Sequence, residues 1–337
     1  MSTVKPADNG IDSSVNDPAG GPSAWQQRIA GEWHGRPSLF DAEGTWCGYE
    51  DIRRSSSFTD GETVYRMDGG LQQGGPLAGR FQLAAPFAFS VSDADDNRLY
   101  TGPDFHGSGQ PYGAFVDAHY YGPGWQVELN TWNHVLPDGH TQVYSSVLHQ
   151  GWTVIGCFNG LYIRTTDHDT NEGTQEQVAE HLEAETRAGP VPWILPTKQE
   201  GRFTGSCELW SADQKPLGLV DVEVAVRPLD LLRAEHRVSW TGAGLDVTYT
   251  VARRRDGTRE FWEGPDAWGN AQAFGRANFP LWHFTRGDVH RVRGREFSLD
   301  ARAAMAAGGR LAVTYELFGG NRLDAVLHGV LTWEAAS

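Results

Sequence analysis

Gly31-Glu32-Trp33-His34-Gly35 and Gly201-Arg202-Phe203-Thr204-Gly205 decide how this chain is read. A strand-like stretch and a short polar turn follow each, Asp41-Ala42-Glu43-Gly44 in one case and Ser211-Ala212-Asp213-Gln214 in the other. A longer match lies further in. Gly102-Pro103-Asp104-Phe105-His106-Gly107, with Gln110 and Gly113, answers Gly264-Pro265-Asp266-Ala267-Trp268-Gly269, with Gln272 and Gly275, giving six identities at one spacing. Val147-Leu148-His149 against Val326-Leu327-His328 is a third, weaker pair. Self-similarity of this kind marks a repeated structural unit. The displacement is 170 residues for the first pair (31 to 201) and 162 for the second (102 to 264), so the copies differ in loop length, the place where related domains diverge first. The chain therefore divides into a disordered tail over 1–23, a first repeat over 24–165, a linker with a helix over 166–195, and a second repeat over 196–337.

Both repeats read as mostly β. The 41 Gly, 17 Pro, 13 Trp, 15 Phe and 10 Tyr beside 3 Met suit short strands and turns better than long helices. Strands are expected at Thr63–Met67, Phe81–Leu83, Phe87–Val91, Trp125–His134, Thr141–His149 and Thr153–Phe158, then at Leu219–Val226, Ala234–Trp240, Asp246–Arg253, Arg310–Phe318 and Ala325–Trp333. Leu136-Pro137-Asp138-Gly139 is a hairpin signal, since Pro presets φ and Gly accepts φ > 0. With Asp138-Gly139 as the turn, Glu128 stands opposite His149 and His134 opposite Val143. Gly69-Gly70 and Gly74-Gly75 bracket Leu71-Gln72-Gln73 as a flexible loop at a barrel mouth. Thr174–Arg187 is the one helix, stopped by Gly189-Pro190, and Pro190, Pro192 and Pro196 stiffen the passage that follows.

Composition removes several classes of function. Forty-three acidic against 28 basic residues, a net charge of −15, repel phosphate backbones and anionic bilayers. Cys47, Cys157 and Cys207 are odd in number and without metal-like spacing, which predicts reduced thiols and a cytoplasmic protein, with Cys157 a small buried hydrophobe. Residues 1–23 lack the apolar core of a secretory signal, and no apolar run approaches the roughly 20 residues of a spanning helix. There is no Gly-x-Ser-x-Gly elbow, phosphate loop or dinucleotide fingerprint.

The Gly-x-Trp-x-Gly opening of a β domain of this size resembles that of the calycin superfamily, which includes lipocalins and fatty-acid-binding proteins. Gly31, Trp33 and Gly35 carry the resemblance in the first repeat, and Gly201, Phe203 and Gly205 in the second. It implies two tandem lipocalin-like antiparallel β-barrels, each with the Trp or Phe of its first strand closing one end. In architecture the chain is similar to carotenoid hydratase-like proteins and to natural-product cyclases that guide pericyclic closures without a cofactor. The similarity is one of architecture alone: no stretch matches a particular catalytic motif, and the Gly-Pro-Asp element is not assigned to a known family.

Candidate chemistry concentrates in the first repeat. Alternation puts Glu128, Asn130, Trp132 and His134 on one face of a strand and Val127, Leu129, Thr131 and Asn133 on the other, with Asp117, His119 and Tyr121 at the same period just before. Two readings follow. The polar face is exposed to water, or it lines a cavity where enclosed carboxylates and imidazoles have pKa values suited to proton transfer. Trp132 on that face argues against full exposure. Groups found in one repeat only are the better catalytic candidates, because those needed by the fold recur in both. Glu128, Asn130, His134 and His106 have no counterpart, whereas Asp104/Asp266 and His149/His328 are shared, and His119 pairs with His283 if a gap is allowed. Asp104 and Asp266 are expected to fold back on backbone N–H groups within their turns.

The expected function is that of a cofactor-independent cyclase or isomerase acting on a hydrophobic, unsaturated small molecule in a barrel cavity. Glu128 and His134 would move protons, Asn130 and Tyr121 would donate hydrogen bonds, and Trp132, His106, His119, Asp117, Tyr144 and Trp33 would bind substrate. No metal or other cofactor is expected: Asp117, His119, Glu128 and His134 lack a recognised ligand spacing. The alternative is a carrier of a hydrophobic ligand, haem among the options. Expected partners are the small molecule and, optionally, a second copy of the chain, with no nucleic acid and no membrane.

Overall fold

The computed structural model describes residues 23–59, 62–83, 85–94, 97–165, 172–188, 199–300 and 308–336. The tail over 1–22 and the linker prolines lie outside these residues.

Eleven strands form the first sheet: β1 Gly31–Gly35, β2 Ser38–Asp41, β3 Trp46–Thr59, β4 Glu62–Gln73, β5 Phe87–Ala94, β6 Asn97–Gly102, β7 Phe105–Tyr112, β8 Phe115–Gly122, β9 Val127–Val135, β10 Thr141–Gln150 and β11 Thr153–Arg164. Both β1 and β2 pair with β3 on one side and β11 on the other, so they are one strand position interrupted at Arg36-Pro37. Pro37 has no N–H to give a ladder. The sheet thus closes on ten positions. After helix α2, Glu172–Ala188, a second closed barrel follows: β12 Gly201–Ser211, β13 Pro216–Pro228, β14 Arg233–Gly242, β15 Leu245–Asp256, β16 Arg259–Glu263, β17 Ala267–Phe274, β18 Ala277–Phe284, β19 Arg291–Ser298, β20 Arg310–Gly319 and β21 Arg322–Ala335. Every pairing is antiparallel and nearly all are between chain neighbours, the arrangement short turns permit. No helix among the described residues is long and apolar enough to cross a membrane.

The register confirms the repeat and explains the Gly-Pro-Asp element. Trp33 pairs with Arg54 and Arg164, and Phe203 pairs with Val224 and Trp333 at the same places in the second barrel. The arginine of Arg164 lies 4.7 Å over the Trp33 ring, and the Phe203 and Trp333 rings meet at 4.9 Å, so an aromatic contact occupies both positions. The Gly-Pro-Asp elements supply the turns from β6 to β7 and from β16 to β17. Their second matching glycines, Gly107 and Gly269, sit opposite Tyr120 and Trp282, where a Cβ would come within 2.0 Å of the His119 carbonyl oxygen and 2.4 Å of that of Leu281. Gly113 and Gly275 turn the next hairpins at φ +61° and +59°, which L side chains resist. This motif is therefore a hairpin device required twice by the backbone.

Four readings need correction. Phe81–Leu83 is not a strand. Phe81 instead plugs an apolar cluster with Leu39, Cys47, Leu77 and Phe158, its backbone N–H and C=O both held by the Gln73 amide. Gly69 and Gly70 are in β4, paired with Ile52 and Asp51, and form no flap. His149 lies on β10 and its position in the second barrel is Phe318, whereas His328 on β21 corresponds to Asn159. His119 corresponds to Leu281, and His283 to Tyr121. Three-residue matches and allowed gaps carry no strand register, and the ladder supplies it.

The hairpin register holds, although the turn's hydrogen bond, from the Gly139 N–H to the Leu136 carbonyl, centres it on Pro137-Asp138 and not on Asp138-Gly139. Asp138 Oδ1 accepts from the N–H groups of His140 and Thr141, Gly139 has φ +68°, and Glu128 pairs with His149 and His134 with Val143.

Candidate functional site

Strand alternation and pairing fix which side chains enter the first barrel. Val116, Ala118 and Tyr120 of β8 face inward with Leu129, Thr131, Asn133 and Val135 of β9. Asp117, His119, Tyr121, Glu128, Asn130, Trp132 and His134 therefore lie on the outside. The expectation that these residues line the barrel cavity is corrected on this point. Trp132 and His134 are buried because the second barrel covers them, an arrangement a single strand pattern cannot reveal.

The two barrels dock through equivalent surfaces. His328 Nε2 donates to the Tyr112 carbonyl at 2.8 Å, and Asn159 Nδ2 donates to the Phe274 carbonyl at 2.9 Å. Tyr112 and Phe274 end β7 and β17, and Asn159 and His328 occupy one position on β11 and β21, so the contacts are related by an approximate two-fold axis. The side chains have diverged to complement each other. Where β9 has Glu128, Asn130 and Trp132, β19 has Arg291, Arg293 and Arg295. Arg295 Nη1 donates to the Trp132 carbonyl at 2.9 Å and to Ser145 Oγ at 3.1 Å, and the Arg293 guanidinium lies 5.4 Å from the Trp132 ring centre.

At the edge of this interface six of the predicted residues do meet. A groove of about 950 Å³ is lined by His106, His119, Tyr121, Glu128 and Asn130, with His149, Trp152 and Arg293, and Asp117 lies directly behind it. Asp117 takes the Trp132 indole N–H at 2.8 Å and lies 3.4 Å from each of His119 Nε2, Asn130 Nδ2 and Arg293 Nη2. Burial pushes its carboxyl up, but the hydrogen bond and charge of His119 and the charge of Arg293 outweigh this and hold it below the ordinary range. The Asp117 hydrogen bond in turn raises His119. Arg293 also grips Glu316, at 2.5 Å through Nε. Burial nevertheless lifts Glu316 to about 7. Among the described residues no group of three or more His, Cys, Asp or Glu is placed to hold a metal ion.

His134 and His328 meet edge-on between the barrels with ring centres 5.0 Å apart. Burial lowers both, and His328 and Arg295 lower His134 further. In the unfolded chain both take up protons below about pH 6.5, while in the fold they resist, so stability is complete above that pH and is lost as the pH falls. Each contributes a slope of up to ~1.4 kcal/mol per pH unit. His134→Phe, which installs the residue found at the equivalent Phe297, is expected to flatten the pH dependence of the urea midpoint between pH 7.5 and 5.5. Superimposable profiles for variant and parent would refute this.

A second group, inside the first barrel, escaped the sequence reading although Trp33 and Tyr144 belong to it. Helix α1, Ala24–Ile29, packs Trp25 and Ile29 against Trp33 at one end, with the Trp33 indole N–H bonded to the Ile29 carbonyl. Leu77 and Phe81 pack at the other. Polar side chains come between these apolar clusters: Glu50 between Cys47 and Ile52 on β3, Thr131 and Asn133 between Leu129 and Val135 on β9. Tyr162 donates to Glu50 at 3.0 Å, the Tyr144 ring stands edge-on to Tyr162 at 5.5 Å, and the Arg54 guanidinium lies 4.0 Å from the Tyr162 ring centre. Burial pushes Glu50 up to about 7, outweighing the Tyr162 hydrogen bond and the Arg54 charge. Gln142 is wholly buried with neither amide atom hydrogen-bonded, and Asn133 Oδ1 likewise lacks a partner.

The second barrel tells which of these groups the fold needs. Glu50, Arg54, Gln142, Tyr144 and Tyr162 are answered there by Val220, Val224, Leu311, Val313 and Leu331. The second interior also buries charge, but closes it on itself: Arg253 bonds Glu260 at 2.6 Å and Glu296 at 2.8 Å over the Trp262 ring. A single sequence hides the first set because each member is one polar residue in an alternating strand whose inward face is unknown. The signal that exposes it is the equivalence of β3 and β13, each paired to the first strand of its own barrel.

No known protein family matches this sequence, and no curated protein does. Among solved structures, a protein of unknown function of the DUF3598 family from Nostoc punctiforme PCC 73102 superposes with TM-score 0.53 at 10% identity, over 94% of this chain and 100% of that one. A candidate outer membrane protein from Bacteroides fragilis NCTC 9343 aligns over 92% of this chain and 99% of that one at 9% identity, with TM-score 0.21. The first likeness is one of fold: this chain shares its overall architecture with a DUF3598-family protein.

Proposed function

We propose that this chain is a small-molecule isomerase or cyclase of lipocalin-like build, whose first barrel encloses a hydrophobic, unsaturated substrate and whose Glu50–Tyr162 pair moves a proton on it. The observation that carries the reading is the polar set of the first interior, Glu50, Arg54, Gln142, Tyr144 and Tyr162, standing where the second barrel has only aliphatic side chains. A fold that is stable with Val and Leu at these positions does not need buried polar groups there, and burying them without partners costs free energy. A carboxyl near neutrality is matched to giving a proton and taking one back, which is all an isomerisation requires. Tyr144 and Tyr162 supply flat walls for an unsaturated body. The opening motif at Trp33, with α1 closing that end, supports the lipocalin-like description.

Glu50→Gln should keep the shape and lose the proton. Native mass spectrometry of parent and variant purified from the source cells is expected to release isomers of equal mass but different absorption spectra, with conversion slowed on the order of 100-fold or more. Release of one unchanged compound from both would replace catalysis by carriage. A second reading places the chemistry in the groove, favoured by the Asp117–His119 pair, with Glu128, Asn130 and Tyr121 beside it. Retention of full conversion by Glu50→Gln, together with its loss in His119→Gln, would select that reading.

A further inference from the structure

A cavity of about 490 Å³ opens at the α1 end of the first barrel, lined by Trp33, Met67, Phe87 and Arg54. Arg54 Nε and Nη2 are buried and have no hydrogen-bond partner. Those two N–H groups form the edge of a guanidinium that matches a carboxylate. Elsewhere in this chain the same edge is used for that purpose: Arg253 on Glu260, Arg293 on Glu316 and Arg227 on Glu235. The cross-strand neighbours of Arg54 are Trp33 and Met67, whose side chains offer no carboxylate, and Glu50 is taken by Tyr162. Arg53, Arg66, Glu32 and Asp68 also line the cavity, two of each sign, so with Arg54 its lining carries one net positive charge. In the second barrel Val224 replaces Arg54, and the equivalent end is filled by Phe203 against Trp333.

We propose that this cavity binds a small organic carboxylate, its head on Arg54 Nε and Nη2 and its apolar body against Trp33, Met67 and Phe87. The proposal rests on the first barrel being the ligand site and assigns the substrate class: an unsaturated acid, not a neutral hydrocarbon. One ligand is expected per chain, because the second barrel lacks the guanidinium.

2-Naphthoate and 2-naphthalenemethanol share a body and differ in the head, so the pair separates the two ideas without any variant. Titration calorimetry on the full chain at neutral pH is expected to show one site for naphthoate, at least about tenfold tighter than the alcohol. Arg54→Met is expected to abolish that difference by weakening the acid alone, Arg54→Lys to restore part of it, and inorganic phosphate at millimolar concentration not to displace naphthoate. Equal affinities for acid and alcohol, or an unchanged acid affinity in Arg54→Met, would overturn the carboxylate assignment while leaving the barrel as the site. Binding of neither would overturn both. Displacement by phosphate would overturn the organic acid in favour of a free anion.

Discussion

Arg253→Met is expected to unfold the second barrel at urea concentrations that leave the parent intact, with a loss of ~3–5 kcal/mol. Glu260 and Glu296 are almost inaccessible, and Arg253 touches both, at 2.6 and 2.8 Å. Asn278 and Tyr315 add hydrogen bonds to the two carboxylates, but neither brings a positive charge. Removing the arginine leaves two negative groups side by side in a low dielectric, and at least one must be protonated for the barrel to persist. The sign of the cure follows: Glu260→Gln added to Arg253→Met should recover part of the loss, since it deletes an uncompensated charge. Hydrogen-exchange protection of the β14–β21 amides, read against those of β3–β11, would locate the effect. A loss below about 1 kcal/mol in the single variant would show that the network contributes little beyond packing.

Trp132→Ala is expected to uncouple the barrels. The indole is 3% exposed, touches Phe115 and Phe279, donates to Asp117 and lies near both Arg293 and Arg295. Its loss opens a cavity at the centre of the interface, worth ~3–5 kcal/mol for an aromatic-to-Ala change. It also takes from Asp117 its shortest hydrogen bond, the one from the indole N–H at 2.8 Å. Calorimetry should then resolve two thermal transitions where the parent shows more strongly coupled unfolding, with Trp132→Phe in between. A variant with the parent's thermogram would mean that the contacts of Asn159 and His328 suffice to join the barrels.

What the sequence revealed and what it concealed divide along one physical line. Features closed within a hairpin were legible: the Asp138-Gly139 turn predicted the pairing of Glu128 with His149, and the ladder shows it. The repeat was legible because turns impose glycine at fixed offsets, as at Gly113 and Gly275. The direction in which a strand faces was not. Trp132 was correctly read as too apolar for open water, yet what covers it comes from a strand more than 150 positions away, at Arg293 and Arg295. Arg54 and Glu50 went unnoticed for the converse reason: charged residues on a long strand ordinarily face water, and only pairing with Trp33 and the bond from Tyr162 place them inside.

The near two-fold docking of the barrels has a consequence for how the molecule tolerates change. A ring of identical barrels would repeat every polar substitution in each copy, whereas covalent fusion lets each half drift alone under a fixed one-to-one ratio. The second barrel, sealed by Arg253 and lined with Val, Leu and Trp, can thus underwrite the folding of a partner whose interior is compromised by Glu50, Arg54 and Gln142. Improving the sealed half, at positions remote from the interface, should therefore widen the range of substitutions the open half survives, which makes it the place to begin when the first barrel is to be re-engineered for another ligand.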